Sequence, residues 1–198
     1  MTNQTEKTNN RVFQIVERSA FSLAPSGTFA AALVSLAFLG EHTRTVKQSD
    51  GTDETKVLEY VGLGWEILDK NSGEVHTVVE ECSLSYNPDS KLYSRILAIN
   101  GGQPLKAGES LQVLLGKSAK VEIIHRLSDS KDGGKRMYAN INAVSQLTGG
   151  MAAHSATTKP TYYDVLAHDT EAFTRLNRKH QNIISKRNGG DADLKAAA

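Results

Sequence analysis

The chain has 198 residues, enough for one domain with tails or at most two very small ones. Hydrophobic residues make up 39% and charged residues 23%, which excludes a chain too polar to bury a core. The formal net charge is +1, from 23 Lys and Arg against 22 Asp and Glu, so attachment to duplex DNA by bulk charge is excluded and any nucleic-acid role must rest on local patches.

Cys82 is the single cysteine, which excludes an internal disulfide and a zinc site built from thiolates. The opening residues lack the basic start, apolar stretch and small-residue cleavage site of a secretory signal. The most apolar run, Phe29 to Leu39, is too short to span a bilayer. The expectation is a soluble, cytosolic protein with no membrane partner.

Residues 1–24 read as an N-terminal arm. Met1 to Asn10 is polar and aperiodic, and Val12, Phe13, Val16 and Phe21 could pack a short segment against the domain that follows. Pro25-Ser26-Gly27 marks a turn, and Thr28 to Leu39 reads as a first strand with apolar residues on both faces. Gly40 is expected to end it. Glu41 to Thr55 is polar with Asp50-Gly51, which reads as a long loop or an excursion with a turn. Lys56 to Asp69 is a second strand, and Asn71-Ser72-Gly73 turns it into a third, Val75 to about Tyr86.

The period then changes. Asp89 or Ser90 caps a helix carrying Leu92, Tyr93, Ile96 and Leu97, which stops at Gly101-Gly102. A short turn over Glu109 to Leu115 precedes a fourth strand, Ala119 to Leu127, and a polar tip leads to a fifth, Arg136 to about Leu147. Past Gly149-Gly150, Met151 to Lys159 reads as a linker, and His168 to Lys186 as a helix with basic residues around it. Three segments result: the arm at 1–24, a barrel at 25–148, and a linker with a C-terminal helical tail at 149–198. Five strands with a helix between the third and fourth is the order of the OB-fold barrel, giving a mainly β class; an unclosed five-strand meander predicts the same pattern.

Alternation on the second strand puts Val57, Val61, Leu63, Trp65 and Ile67 on one face and Lys56, Tyr60, Gly62, Gly64 and Glu66 on the other. The first set reads as core, so Trp65 is a packing residue before it is a stacking one. Tyr60 beside two glycines is either a platform for a flat base or a half-buried ring near glycines that serve curvature. The fifth strand sets Met137, Ala139, Ile141 and Ala143 against Arg136, Tyr138, Asn140 and Asn142. That second face suits phosphates and bases, and equally an ordinary solvated strand. Basic residues flank both: Arg44 and Lys47 in the first loop, Lys117 and Lys120 at the start of the fourth strand, and Arg126, Lys131, Lys135 and Arg136 around the last hairpin.

Enzyme signatures are poor. The six histidines form no pair at metal-ligand spacing, and Asp50, Asp53 and Glu54 sit in a polar loop where solvation explains them. Glu80 and Glu81 are adjacent and so point to opposite faces of a strand. Gly116-Lys117-Ser118 is similar to the end of a phosphate loop but lacks the upstream glycine and precedes a strand. Cys82 has no activating base nearby in sequence. No catalytic residue, cofactor or metal is expected.

Pro25-Ser26-Gly27-Thr28-Phe29 with Leu39-Gly40, then Lys56-Val57 leading to Gly64-Trp65-Glu66-Ile67, resembles the start of small bacteriophage single-stranded-DNA-binding proteins of replication and recombination modules. The likeness continues through Ser83-Leu84-Ser85, Lys91-Leu92, Leu114-Leu115-Gly116-Lys117, Val121-Glu122-Ile123-Ile124-His125, Tyr138-Ala139-Asn140-Ile141 and Val144-Ser145, covering roughly Pro25 to Leu147. The resemblance implies an OB-type barrel that coats single-stranded DNA with little sequence preference in the cytoplasm of a bacterial host. Replication or recombination proteins and a second copy of the chain are the further partners expected. Many such proteins end in an acidic tail, whereas here a basic candidate helix precedes Asp191-Ala192-Asp193-Leu194-Lys195.

The expected function is therefore DNA binding without catalysis. Tyr60, Tyr138 and Trp65 are the candidate stacking residues, and Arg44, Lys47, Lys56, Lys120, Arg126, Lys135 and Arg136 the candidate phosphate contacts. The alternative is a non-catalytic protein-interaction or virion structural module on the same barrel.

Overall fold

The computed structural model describes residues 22–48, 50–129, 133–167 and 169–187. The expected packing of Val12, Phe13, Val16 and Phe21, the hairpin-tip residue Lys131 and the end of the chain from residue 188 lie outside them. Six strands and three short helices follow in chain order: β1 (Gly27–Lys47), β2 (Asp53–Leu68), β3 (Val75–Ser83), α1 (Lys91–Ile99), a 3₁₀ turn at Leu111–Leu114, β4 (Ser118–Asp129), β5 (Lys135–Ser145), β6 (Thr161–Asp164), α2 (Thr170–Arg175) and α3 (Arg178–Ile184). The chain is mainly β. No helix among the described residues is long and apolar enough to cross a membrane.

The strands form one sheet in the order β3-β2-β1-β4-β5, all antiparallel, with β6 added in parallel to β1. The two outer strands, β3 and β5, lie near each other, and α1 packs against β3, β4 and β5. No ladder joins β5 back to β3 among the described residues, so the sheet is curled and open.

Inside the curl sits the main core, built from alternate residues of each strand. Leu33, Leu63, Trp65, Ile67, Val121 and Ile123 are fully buried there with Leu92 and Ile96 of α1. Each large side chain so buried contributes about 1.5–3 kcal/mol of apolar transfer. The helix forms where the period changes: the Ser90 side chain caps it by accepting from the Tyr93 N–H at 3.1 Å. Its inner face is Leu92, Arg95, Ile96 and Ile99.

Three expectations change here. First, β1 does not end at Gly40. Gly40 takes φ +83° at a register shift and the strand continues to Lys47, so the expected loop from Glu41 to Thr55 is a long two-stranded ribbon with β2. Second, the expected linker Met151 to Lys159 is fastened to the sheet, because residues 154–158 surround the buried Glu66 side chain. Third, the single helix expected over His168 to Lys186 is two short ones after a strand. The break falls at Leu176, and Asn177 caps α3 by accepting from the Lys179 N–H.

Together β6, α2 and α3 form a second core on the outer side of β1. Tyr163, Val165, Ala172, Leu176 and Ile184 bury Ala37 and Leu39. This explains the two-sided burial of β1, where Ala31 to Ala37 are all buried. One face meets the main core and the other meets the C-terminal layer.

Candidate nucleic-acid interface

Two stretches of the sheet extend past their neighbours. Beyond Phe38, the last residue of β1 paired with β6, β1 and β2 continue as a ribbon through Gly40↔Tyr60, His42↔Leu58 and Arg44↔Lys56 to Lys47↔Asp53. Beyond Gly27↔Ile123, where β1 begins, β4 and β5 continue alone through Arg126↔Tyr138 to Asp129↔Lys135. Because β1 and β4 are antiparallel, the two ribbons leave opposite ends of β1.

On the first ribbon, cross-strand register puts Tyr60, Arg44 and Lys56 on one face. The Arg44 guanidinium carbon lies 5.3 Å from the Tyr60 ring centroid, and His42 meets the ring edge-on at 5.8 Å. Tyr60 is half-buried and packs against the second core. Lys56 is paired with Glu54 at 2.9 Å. Lys47 stands on the opposite face across from Asp53, and Glu41 stands directly opposite Glu59, so this ribbon carries mixed charge.

The second ribbon is simpler. Arg126 is directly opposite Tyr138, and Arg136 is opposite Ser128, one step further out on the same face. Tyr138 is 43% exposed, and both arginines are exposed. Lys120 occupies the same face of β4 but lies about 20 Å back along the strand, with Glu122 between. Lys135 is on the other face, opposite Asp129.

Between the ribbons, the surface expected to receive a base is occupied. Gly62 leaves a notch that the His180 ring fills, and a Cβ at Gly62 would lie 2.6 to 2.9 Å from three ring atoms. Burial holds His180 below its ordinary pKa, and its Nε2 lies 3.3 Å from the Glu80 carbonyl oxygen. Lys179 pairs with Glu81 at 2.7 Å beside it. Gly64 gives its space to the Ser35 side chain. The expected platform is therefore occupied by the chain itself, at Gly62 and Tyr60 by the C-terminal layer and at Gly64 by Ser35 of β1, a correction the sequence pattern of β2 by itself could not supply.

Trp65 also leaves the list of stacking candidates. It is 0% exposed, and its Nε1 donates to Glu80 Oε1 at 3.2 Å. Because it is the only tryptophan, its emission is expected to be blue-shifted and poorly quenched by acrylamide, and an added oligonucleotide should leave it nearly unchanged. Strong quenching on DNA addition would contradict this placement.

Sequence reasoning overlooked two buried carboxylates. Glu80 receives Arg95 Nε and Nη2, each at 3.0 Å, with Lys91 at 2.8 Å. Glu66 accepts from the Thr157 and Thr158 N–H groups at 2.7 and 2.8 Å and lies 3.0 Å from His154 Nε2. Strand parity was the available signal for Glu80, which falls in step with the core residues Val78 and Cys82, whereas Glu66 lies on the other face of β2 and is buried only by the distant residues 154–158. Both sites are structural in their contacts. Cys82, buried beside Glu80, has its thiol pushed up to about 12 by burial and then by that charge, which disfavours the thiolate. Among the described residues, no group of three or more His, Cys, Asp or Glu side chains is arranged to hold a metal ion. No protein-family model matches the chain, and no curated protein matches it in sequence.

Proposed function

We propose that the chain is a non-catalytic single-stranded-DNA-binding protein with little sequence preference, of the kind found in bacteriophage replication and recombination, built on an OB-type arrangement of β1 to β5 with α1. It would act in the cytoplasm of an infected bacterial cell. Its main support is the exposed trio of Tyr138, Arg126 and Arg136 on one face of the β4–β5 ribbon. An aromatic ring with one cation across the ladder and a second one step further out suits a base and its neighbouring phosphates without reading base edges. The strand order with its helix between β3 and β4 is the second support.

The covered surface at Gly62 moves the expected contact outward. Tyr60 already stacks under Arg44 and packs against the C-terminal layer, so it is a secondary site at most. Arg44, Lys47 and Lys56 lie on a ribbon that also carries Glu41, Asp53, Glu54 and Glu59, which weakens their pull on phosphate. The β4–β5 ribbon carries the reading.

A titration with fluorescent poly-dT at two salt concentrations tests it. Binding should weaken steeply as salt rises. Tyr138→Ala should lose on the order of 1–3 kcal/mol of affinity with an unchanged circular dichroism spectrum. No binding at low salt would end the proposal. One observation favours the second reading, an interaction or virion structural module: the C-terminal layer covers the outer side of β1 and β2. That reading requires indifference to DNA and a stable oligomer by light scattering.

A further inference from the structure

Two histidine rings are built into the seam between the C-terminal layer and the sheet. By register they flank Tyr60, with His180 over Gly62 on one side and His42 edge-on to the ring on the other. We propose that these rings make the layer a proton-released cover: when they are protonated, β6, α2 and α3 lift from the sheet and bare the face of Tyr60 and Gly62. The proposal stands apart from the single-strand reading and needs no ligand.

His180 is 0% exposed, and its Nε2 lies 3.3 Å from the Glu80 carbonyl oxygen. That oxygen can only accept, so the ring proton sits on Nε2. Nδ1 is buried and has no hydrogen-bond partner among the described residues. A second proton would enter a dry site with no acceptor. The charged groups around the ring are Glu81 of β3 and Lys179 of α3, which pair with each other at 2.7 Å. His42 is 8% exposed, with its Nε2 3.2 Å from the Leu39 carbonyl oxygen. Around it stand Tyr60 of β2, Arg44 of β1 and Arg187, which follows α3 and lies against Gly40. A charge on His42 would therefore face two guanidinium groups, one of them on the layer. Further out on the same ribbon face, Lys56 and Glu54 pair with each other. The layer's own acids are engaged: Asp164 and Asp169 accept from the Leu166 and Ala172 N–H groups, and Glu171 pairs with Arg175.

Burial, above all, holds both rings below their ordinary 6.5. Freed from the seam they would regain that value, so the open form takes up protons first. Closure is whole above about pH 6.5 and weakens as pH falls below it. Little else holds the layer: β6 has four residues, α2 six and α3 seven, around one small apolar cluster. The linker responds in the opposite sense. Glu66, held at about 2, keeps its charge across this range, and a proton on His154 would strengthen their 3.0 Å contact. The layer would swing from residues 154–158 while these stay fastened to the sheet.

Hydrogen exchange of the full chain, read by mass spectrometry at about pH 7.5 and about pH 5.5 and corrected for the intrinsic rate, decides this. Amides of Thr161–Asp164 and Arg178–Ile184 are expected to open about tenfold more often at the lower pH for each ring that protonates only when open. Those of β4 should keep their protection. The variant carrying both His180→Phe and His42→Phe retains two planar rings that take no proton, so its layer should open equally at both values. Equal corrected rates in the wild type, or a loosening of β4 in step with the layer, would overturn the proposal. So would a double variant that keeps the wild-type response. The wild-type comparison decides even if the variant does not fold.

Discussion

Arg95→Ala is expected to lower the unfolding free energy by about 3–5 kcal/mol, read as a lower urea midpoint at an unchanged slope. Glu80 is 5% exposed, and its carboxylate receives both arms of the Arg95 guanidinium, the Trp65 indole N–H and the Lys91 ammonium. Burial pushes the Glu80 carboxyl up, but the hydrogen bonds and charge of Arg95, then those of Lys91, outweigh it and hold the group below its ordinary value. Without Arg95 the core keeps a carboxylate whose remaining cation is half in water. Lys91→Ala should cost only about 1 kcal/mol, because that side chain is 43% exposed. The variant combining Arg95→Met with Glu80→Gln should recover most of the loss, since it removes both charges and keeps the volume. A loss below about 1 kcal/mol for Arg95→Ala would show that the pair does not hold α1 to the sheet.

Much of the fold was legible because it follows from local chemistry. The cap at Ser90, the period change into α1 and the turn at Asn71 to Gly73 are short-range signals that appear where the sequence places them, and the parity of β2 holds for Val61, Leu63, Trp65 and Ile67, whereas Val57 is exposed on the ribbon beyond the core. What could not be read depends on distant partners. Gly40 has the signature of a strand end, yet it takes a left-handed φ inside a continuing strand, with the Arg187 side chain against it. β6 has four residues and is a strand only because β1 offers an unpaired edge at Ser35 to Phe38. No local pattern announces that edge.

The candidate site divides the same way. Parity correctly groups Arg136 with Tyr138 and sets Trp65 with the core, since side-chain alternation is a property of one strand. Whether a face is open depends on what folds over it. Tyr60, Gly62 and Gly64 do share a face, and His180, more than a hundred residues later, fills it at Gly62, while Ser35 fills it at Gly64. Bringing Arg126 opposite Tyr138 needs the register of a hairpin, which the polar tip between them leaves undetermined in sequence.

Glu66→Gln is expected to remove about 3 kcal/mol of stability at neutral pH and to flatten the acid limb of the stability curve. Glu66 is fully buried, which alone would push its carboxyl up. Donors from Thr158 and Thr157, and then His154, hold it instead at about 2, against an ordinary 4.5. A carboxyl whose folded value is depressed adds stability that is whole above its unfolded value. It is lost as pH falls from about 4.5 towards 2, where the folded state also takes up the proton. A shift of that size corresponds to about 3 kcal/mol. Asp50, Asp69 and Glu80 are also held below their ordinary values and titrate in both proteins, so the informative quantity is the difference between wild type and variant. Chemical denaturation across this range should show a gap that is widest at neutral pH and closes near pH 2. A gap of constant size would mean that the lost charge is irrelevant and only shape matters. Residues 154–158 run into β6, so the same variant should speed hydrogen exchange at Thr161 to Asp164 while β4 stays protected. That second readout separates a loosened C-terminal layer from a weakened core, and it shows whether the cover over Gly62 can lift while the sheet stays folded.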